Sequence, residues 1–229
     1  MSKKKKSASD AEMEMDVILS KSEQFIEKYS KQITLGVIAL IVVVGLLLGY
    51  HHGIVIPNEK KAQVVLFTGE QYLAVDSFNL ALNGDGASFE GFKSIVDEYG
   101  STPSGNLAKA YAGICSFKLG NNDQAIKYLK SFDSKDDVVS PTITGLIGDC
   151  FVNAGDTDKA ISYFKEAASD ADNSIVSAVY LKKAGIAYES LKQYDKACEV
   201  YKQIKENYAT SVEANDIDKY ITRAQALNK

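Results

Sequence analysis

The apolar positions of the chain form two patterns, one continuous and one periodic. From Ile33 to Tyr50 the chain reads ITLGVIALIVVVGLLLGY, and no Lys, Arg, Asp or Glu follows until Glu59. As a helix this run covers about 27 Å, close to the hydrocarbon thickness of a bilayer. Beyond Asn58, apolar residues recur every third or fourth position, which predicts amphipathic helices of about a dozen residues.

Polar, glycine-rich stretches separate these predicted helices. They are NGDG (83–86), YGSTPSG (99–105), KLGNN (118–122), FDSKDD (132–137), NAGD (153–156) and SDADNS (169–174). Pro57 is expected to interrupt the chain, with Asn58 as the N-cap of the next helix. Ser140 and Pro141 form a second expected cap and first-turn pair. Because strand patterns are scarce, the sequence predicts an all-α fold.

The lysines around the apolar run predict its orientation. Only Lys60 and Lys61 follow it closely, whereas seven lysines precede it: Lys3 to Lys6, Lys21, Lys28 and Lys31. Cytoplasmic flanks carry the excess of basic residues, so the N-terminus is predicted to stay in the cytoplasm. No A-x-A site follows the run, which is therefore interpreted as an uncleaved anchor rather than a signal peptide.

Three segments follow from this interpretation. Residues 1–31 are a cytoplasmic lysine-rich tail with an amphipathic helix, whose apolar positions are Met15, Ile18, Phe25 and Tyr29. Residues 32–56 are the transmembrane anchor, and residues 57–229 face the periplasm if the cell is a bacterium. In the anchor, Gly45 and Gly49 are spaced for close contact with a second transmembrane helix, which makes a homodimer one expected partner state. Glycine is also common in transmembrane helices that have no such partner.

A ten-residue pattern occurs three times in the second half of the chain. The copies are GNNDQAIKYL (120–129), GDTDKAISYF (155–164) and KQYDKACEVY (192–201). Each contains an alanine with a glycine twelve residues before it and a bulky residue four residues after it; the triplets are Gly113–Ala125–Leu129, Gly148–Ala160–Phe164 and Gly185–Ala197–Tyr201. Gly91, 34 residues before Ala125, is assigned to the alanine position of an earlier copy. Two antiparallel helices are expected to cross at each small pair.

This two-helix pattern resembles the tetratricopeptide repeat. The resemblance covers residues 106–132, 141–167 and 175–204, and more weakly 59–103. It implies an α-solenoid, in which residues 211–227 would form a solvating cap. The third copy departs from the pattern, because Lys192 stands where the turn usually has glycine.

The arrangement of the whole chain resembles a narrower family. The lysine-rich tail, the single span and the strings PNEKKAQ, DSFNLALNGDG, GFKSIVDEYGSTPSGNLAKAY and LIGDC are similar to the YfgM-type family. The resemblance implies a single-pass protein of the bacterial inner membrane and an ancillary subunit of the Sec translocon. Its expected partners are translocon subunits, a PpiD-type periplasmic chaperone and exported clients. A scaffold for cell-envelope or cell-division machinery is the alternative, since it would use the same fold.

Several classes of chemistry find no support in the residues. His51 and His52 are adjacent, so their side chains diverge on a helix, and no other histidine exists for a metal or a triad. Residues 54–229 hold 19 basic and 24 acidic residues and include the single arginine, Arg223, which argues against nucleic acid. No phosphate-binding loop is present. Catalytic residues, cofactors and metals are therefore not expected. A Cys115–Cys150 disulfide is the alternative to buried free thiols.

The resemblance also implies a binding groove along the first helices of the repeats. Its expected residues are Leu107, Ala110, Ile114, Phe117, Lys118, Asp149, Val152, Asn153, Lys182, Ile186 and Glu189. The apolar members are either core or a docking surface for a protein segment. The groove is either open or filled by the predicted helix Glu59–Leu82.

Overall fold

The structure is a computed structural model that describes the backbone of residues 8–228 and the side chains of residues 28–228. The helices are α1 (Ala8–Tyr50), α2 (Ile56–Ala74), α3 (Phe78–Asn83), α4 (Gly91–Tyr99), α5 (Pro103–Lys118), α6 (Asn122–Ser131), α7 (Val139–Asn153), α8 (Thr157–Ala171), α9 (Ser177–Ser190), α10 (Tyr194–Asn207) and α11 (Ile217–Leu227). The predicted all-α class is confirmed. Packing divides the chain into a first unit that ends at Ile56 and a second that begins at Pro57.

The first unit contains a helix that is long and apolar enough to span a bilayer. Within the helical stretch Lys28–Ala74, an 18-residue window has a mean hydropathy of 2.7, and none of that window is buried inside the protein. Gly45 and Gly49 have open space around them in this isolated chain. The Lys3 to Lys6 run lies outside the described residues, as do the side chains of Met15, Ile18 and Phe25 in the predicted amphipathic face.

The prediction that Pro57 interrupts the chain and that Asn58 is an N-cap is wrong. Both residues lie inside the first turn of α2, which begins at Ile56. Before it, His51–Val55 forms a π-helical turn, and the Ile56 N–H donates to the His51 carbonyl. A π-helical turn bonds each residue one position further back than an α-helix does. Pro57 then falls in the first turn of α2, where a missing N–H is tolerated.

The second unit is built from antiparallel helix pairs that cross at small residues, as predicted. In the pair α7 and α8, a Cβ added to Gly148 would lie 2.6 Å from the Phe164 ring and 3.3 Å from the Ala160 carbonyl oxygen. The same close approach recurs in the other two hairpins, between Gly113 and Leu129 and between Gly185 and Tyr201. Glycine is required at these positions because a bulky side chain from the paired helix fills the space of a Cβ.

The N-terminal hairpin differs from the predicted alignment. Gly91 is not at a crossing: it begins α4 with φ of 90°, close to the Leu82 carbonyl. Gly69 in α2 has the crossing role, packed against the rings of Phe89 and Phe92. Because α3 is inserted between the paired helices α2 and α4, Phe92 follows Gly69 by 23 residues, whereas Phe164 follows Gly148 by 16. This insertion explains why the first repeat is weak in the sequence.

The tight turns between paired helices use a left-handed residue. Gly120 and Gly155 have φ of 81° and 80°, and Lys192 has φ of 57° in the third turn. Lysine carries a Cβ that disfavours this conformation, so the third turn is strained.

The start of α7 also differs from the prediction. Helix α7 begins at Val139, so Ser140 and Pro141 lie inside its first turn rather than at its cap. The Asp136 carboxylate accepts the N–H groups of Val138 and Val139 instead, at 2.9 and 2.7 Å. Short polar side chains in the preceding loop can satisfy such free N–H groups.

Helix α11 closes the second unit at its C-terminal end. Ile217, Ile221 and Ala224 are buried in the same cluster as Tyr201 and Ile204 of α10. The opposite face of α11 carries exposed polar residues, including Asp218, Lys219 and Thr222. This polar face contacts solvent.

Candidate protein-binding groove

The eleven predicted groove residues lie on α5, α7 and α9 and differ widely in exposure. Ala110 is buried. Lys118, Val152, Asn153 and Ile186 are exposed, and the half-buried residues are Leu107, Ile114, Phe117, Asp149, Lys182 and Glu189. The exposed apolar residues therefore belong to the second and third clear hairpins.

The structure brings Asp149, Val152 and Ile186 together in one cleft between α7 and α9. Val152 is 45% exposed and Ile186 is 47% exposed. The cleft has a volume of about 260 Å³ and is lined by Asp149, Val152, Thr157, Phe164, Lys183, Ile186, Ala187 and Ser190. Its volume is below the range of about 300–1,000 Å³ typical of small-molecule sites.

An ion pair forms one wall of this cleft. The Lys183 ammonium donates to both carboxylate oxygens of Asp149, with Nζ–O distances of 2.6 and 2.8 Å. The same Nζ lies 5.2 Å from the Tyr180 ring centroid and 5.6 Å from that of Phe164. Both side chains are partly exposed, so the pair is worth about 0–1 kcal/mol and mainly fixes the position of the charges. Sequence reasoning missed Lys183.

The predicted groove residues of α5 are mostly used for packing. Leu107 packs against the N-terminal core cluster, and Ala110 is part of the middle cluster, against which Phe117 also packs. The Lys118 ammonium lies 5.9 Å from the Phe78 ring centroid, beside the inserted helix α3. In this hairpin the core role accounts for Leu107, Ala110 and Phe117.

Helix α2 packs on α5, and the predicted segment Glu59–Leu82 adjoins two groove positions of this hairpin: Leu107 packs against the cluster that contains Ala62 and Leu66, and Lys118 lies beside Phe78. The Glu59 carboxylate accepts the Ser104 N–H and hydroxyl, at 2.9 and 2.7 Å. Further along, the Tyr111 hydroxyl donates to Glu70. These contacts use Ser104 and Tyr111, which are not predicted groove positions. Helix α2 is therefore related to α5 as α7 is to α9.

The three cysteines are buried free thiols, and no disulfide joins Cys115 to Cys150. Burial raises the pKa of the Cys115 thiol to about 12 and that of Cys150 to about 11. Thiols with raised pKa values are poor nucleophiles at neutral pH. Among the described residues, no group of three or more His, Cys, Asp and Glu side chains is arranged to hold a metal ion.

Residues 146–174 and 179–211 match the tetratricopeptide repeat family. These segments hold the second half of α7 with α8, and α9 with α10. The hairpins are TPR-like. No curated protein matches the chain.

Solved structures support the same fold. A Podosopora anserina protein with nearly identical TPR-like repeats, described as a kinesin light chain, has a TM-score of 0.55 and 11% identity, over 74% of this chain and 87% of that one. The MamA protein has a TM-score of 0.50 and 17% identity, over 72% of this chain and 91% of that one. At such identities the likeness shows the fold alone. TPR-like repeats bind proteins and are typically not catalytic.

Three ion pairs with the same spacing join α7 to α9 and α9 to the C-terminal segment. Lys183 and Asp149 are 34 residues apart, as are Lys182 and Asp216, and Arg223 and Glu189. Lys182 and Glu189, both predicted for the groove, are therefore engaged by the C-terminal segment. The Tyr201 hydroxyl also donates to Glu189. Opposite charges one repeat apart were the sequence signal that could have located these pairs.

Proposed function

We propose that this protein is a membrane-tethered, non-catalytic protein-binding scaffold that assists folding or trafficking of exported proteins. The observation that carries the proposal is the apolar cleft between α7 and α9, where Val152 and Ile186 remain exposed within a TPR-like array. Exposed apolar residues grouped in a concave surface are typical of docking sites for protein segments.

The proposed location follows from the apolar helix and the lysine distribution. An N-terminal span with a cytoplasmic tail would hold residues 57–229 in the periplasm, at the surface of the inner membrane. Tethering raises the local concentration of the cleft near chains that emerge from the membrane. The resemblance to the YfgM-type family supports the Sec translocon as the place of action and a PpiD-type chaperone as a partner.

Site-specific photo-crosslinking tests the docking site. A photoreactive residue at Ile186 or Val152 of the full chain in cells is expected to capture exported proteins, translocon subunits or the PpiD-type chaperone. A probe at Lys165, on the exposed face of α8, is the matched control and should capture at least tenfold less. Capture of envelope or division proteins alone would replace the translocon role with the alternative scaffold role. Equal capture from Lys165 would contradict the cleft as the docking site.

The span is proposed to contact a second span through Gly45 and Gly49. Both glycines leave open space on one helix, which permits close backbone approach. Replacing both by leucine should weaken self-association of the full chain in detergent, measured by light scattering. Unchanged association would remove this contact from the proposal.

A further inference from the structure

The outer face of α2 is exposed and apolar. Val64 is 72% exposed, Phe67 is 61% exposed and Val75 is 70% exposed, and the exposed residues between them include Gln71 and Ala74. From residue 62 to residue 75 the one charged residue is Glu70, whose carboxylate accepts the Tyr111 hydroxyl of α5 at 3.0 Å. The outer face of this segment therefore presents apolar and uncharged polar groups only.

Other exposed helix faces of the second unit are composed differently. The outer faces of α6, α8 and α10 carry charges, namely Asp123, Lys127 and Lys130; Lys159, Lys165 and Glu166; and Lys196, Glu199 and Lys202. Such faces are typical of solvated helices. An apolar face among them marks an interaction site.

The equivalent positions of the later hairpins contact the preceding hairpin. Counting back five and two residues from the crossing glycine gives Val64 and Phe67 in α2, and Tyr180 and Lys183 in α9. The Tyr180 hydroxyl donates to the Thr142 carbonyl of α7, and Lys183 pairs with Asp149 of α7. In α5 the second of these positions is Tyr111, which bonds Glu70 of α2. In α5 and α9 these positions therefore contact the first helix of the preceding hairpin.

We infer that the outer face of α2, formed by Val64, Phe67, Gln71 and Ala74, packs against α2 of a second copy of this chain. By equivalence with α5 and α9, the surface is shaped to accept a helix. Its residues follow the three-four spacing of a two-helix seam, with one amide at Gln71 among apolar positions.

The exposed residues of this seam can pack against the same residues of a second copy. A two-fold contact between parallel helices places each residue near its own counterpart. Val64, Phe67 and Gln71 all tolerate a copy of themselves, since apolar groups pack together and amides can donate and accept in turn. Like charges, which would oppose self-pairing, are absent from the exposed positions of residues 62–75. The exposed lysines Lys60 and Lys61 lie one turn before Val64 and mark the N-terminal limit of the seam. This inference rests on the proposed tether to this extent: copies held in one membrane by the same N-terminal span would also meet at high local concentration.

Cysteine cross-linking in membranes tests this inference with the full chain. Val64→Cys and Phe67→Cys variants, treated with an oxidant, are expected to convert mostly to a disulfide-linked species of twice the mass. The three native thiols are buried, so the unsubstituted chain should not react. Lys127→Cys and Lys165→Cys, on exposed charged faces, are matched controls and should cross-link at least tenfold less. Without a doubled species at either α2 position, or with adducts to lipid probes or other proteins only, the inference fails.

A charge placed in the seam separates specific packing from mere proximity. Phe67→Glu in the Val64→Cys background should lower cross-linking at least tenfold, because it places two carboxylates against each other. Phe67→Leu in the same background should retain it. Since Phe67 is exposed in the single chain, neither change should lower the thermal unfolding midpoint of the detergent-solubilised chain at concentrations where it is monomeric. Cross-linking that is unaffected by Phe67→Glu would show that the face is not a contact.

Discussion

Lys192 is the residue at which the repeat departs from its own turn chemistry. Its φ of 57° lies in the same left-handed region as the φ of Gly120 and Gly155. The Cβ of lysine makes this conformation less favourable than it is for glycine. Lys192→Gly should raise the free energy of unfolding by about 1 kcal/mol, partly offset by the greater freedom of glycine in the unfolded chain. Urea unfolding of the full chain in detergent measures the change.

The reverse substitution is the matched control for this turn. Gly155→Lys introduces the same Cβ into an equivalent turn with open space around it, so only backbone strain should act. It should destabilise the chain by a similar amount. A stabilised Gly155→Lys variant would show that backbone strain does not govern these turns.

Gly148 is limited by packing rather than by backbone conformation. Gly148→Ala would place a Cβ 2.6 Å from the Phe164 ring. Overpacking of this kind costs about 1–3 kcal/mol, which thermal unfolding should detect as a lower midpoint. Adding Phe164→Leu should recover part of the loss, because the smaller side chain leaves room for the methyl group. Strictly additive losses would argue against direct contact at the crossing.

At the scale of elements, Glu59 links α2 to the start of α5. Burial acts to raise the pKa of Glu59, but hydrogen bonds from the Ser104 N–H and hydroxyl outweigh it and hold the pKa below its ordinary value of 4.5. A carboxyl whose pKa is lowered by folding stabilises the folded state above the unfolded pKa. That stabilisation is lost as the pH falls through the folded pKa.

Replacing the Glu59 carboxyl should therefore make the free energy of unfolding depend less on pH in the acid range. Glu59→Gln should be less stable than the parent chain at pH 7, and the difference should shrink as the pH falls below about 4.5. Unfolding midpoints between pH 7 and pH 3 provide the measurement. Glu166→Gln, on the exposed face of α8, is the control and should track the parent. A constant difference at all pH values would exclude the carboxylate contact.

Local chemistry explains which elements were predictable from sequence. The three hairpins from α5 to α10 were predictable, because each helix crossing requires a small residue and a bulky residue at a fixed spacing. Gly148 and Phe164 are one such pair. The first hairpin was misaligned at Gly91, because the α3 insertion moved its crossing to Gly69, outside the regular spacing. The helix start at Ile56 was missed, because the π-helical turn before it has no simple residue signature. The groove stays a prediction, and the sequence did not show which of its residues have polar partners, because those of Lys182 and Glu189 lie in the C-terminal segment, 34 residues away.

At the scale of the whole molecule, the orientation of the chain remains a prediction from lysine placement. A membrane-impermeant maleimide applied from the outside of the inner membrane should label Lys165→Cys. Ser7→Cys should react only after the membrane is opened. The parent chain should not be labelled in either case, because its thiols are buried. Labelling of Ser7→Cys first would reverse the predicted topology.

The ion pairs that link residues 34 positions apart have a mechanical consequence. In an array where each hairpin touches only its neighbours, a pull on one end is passed along a series of similar joints. Asp149–Lys183 and Glu189–Arg223 are two such joints, and both are partly exposed ion pairs that break and reform at small cost. Under a load on the C-terminal end these ion pairs would break before the apolar contacts between the same hairpins, such as that of Phe164 with Tyr180, so the array would yield stepwise.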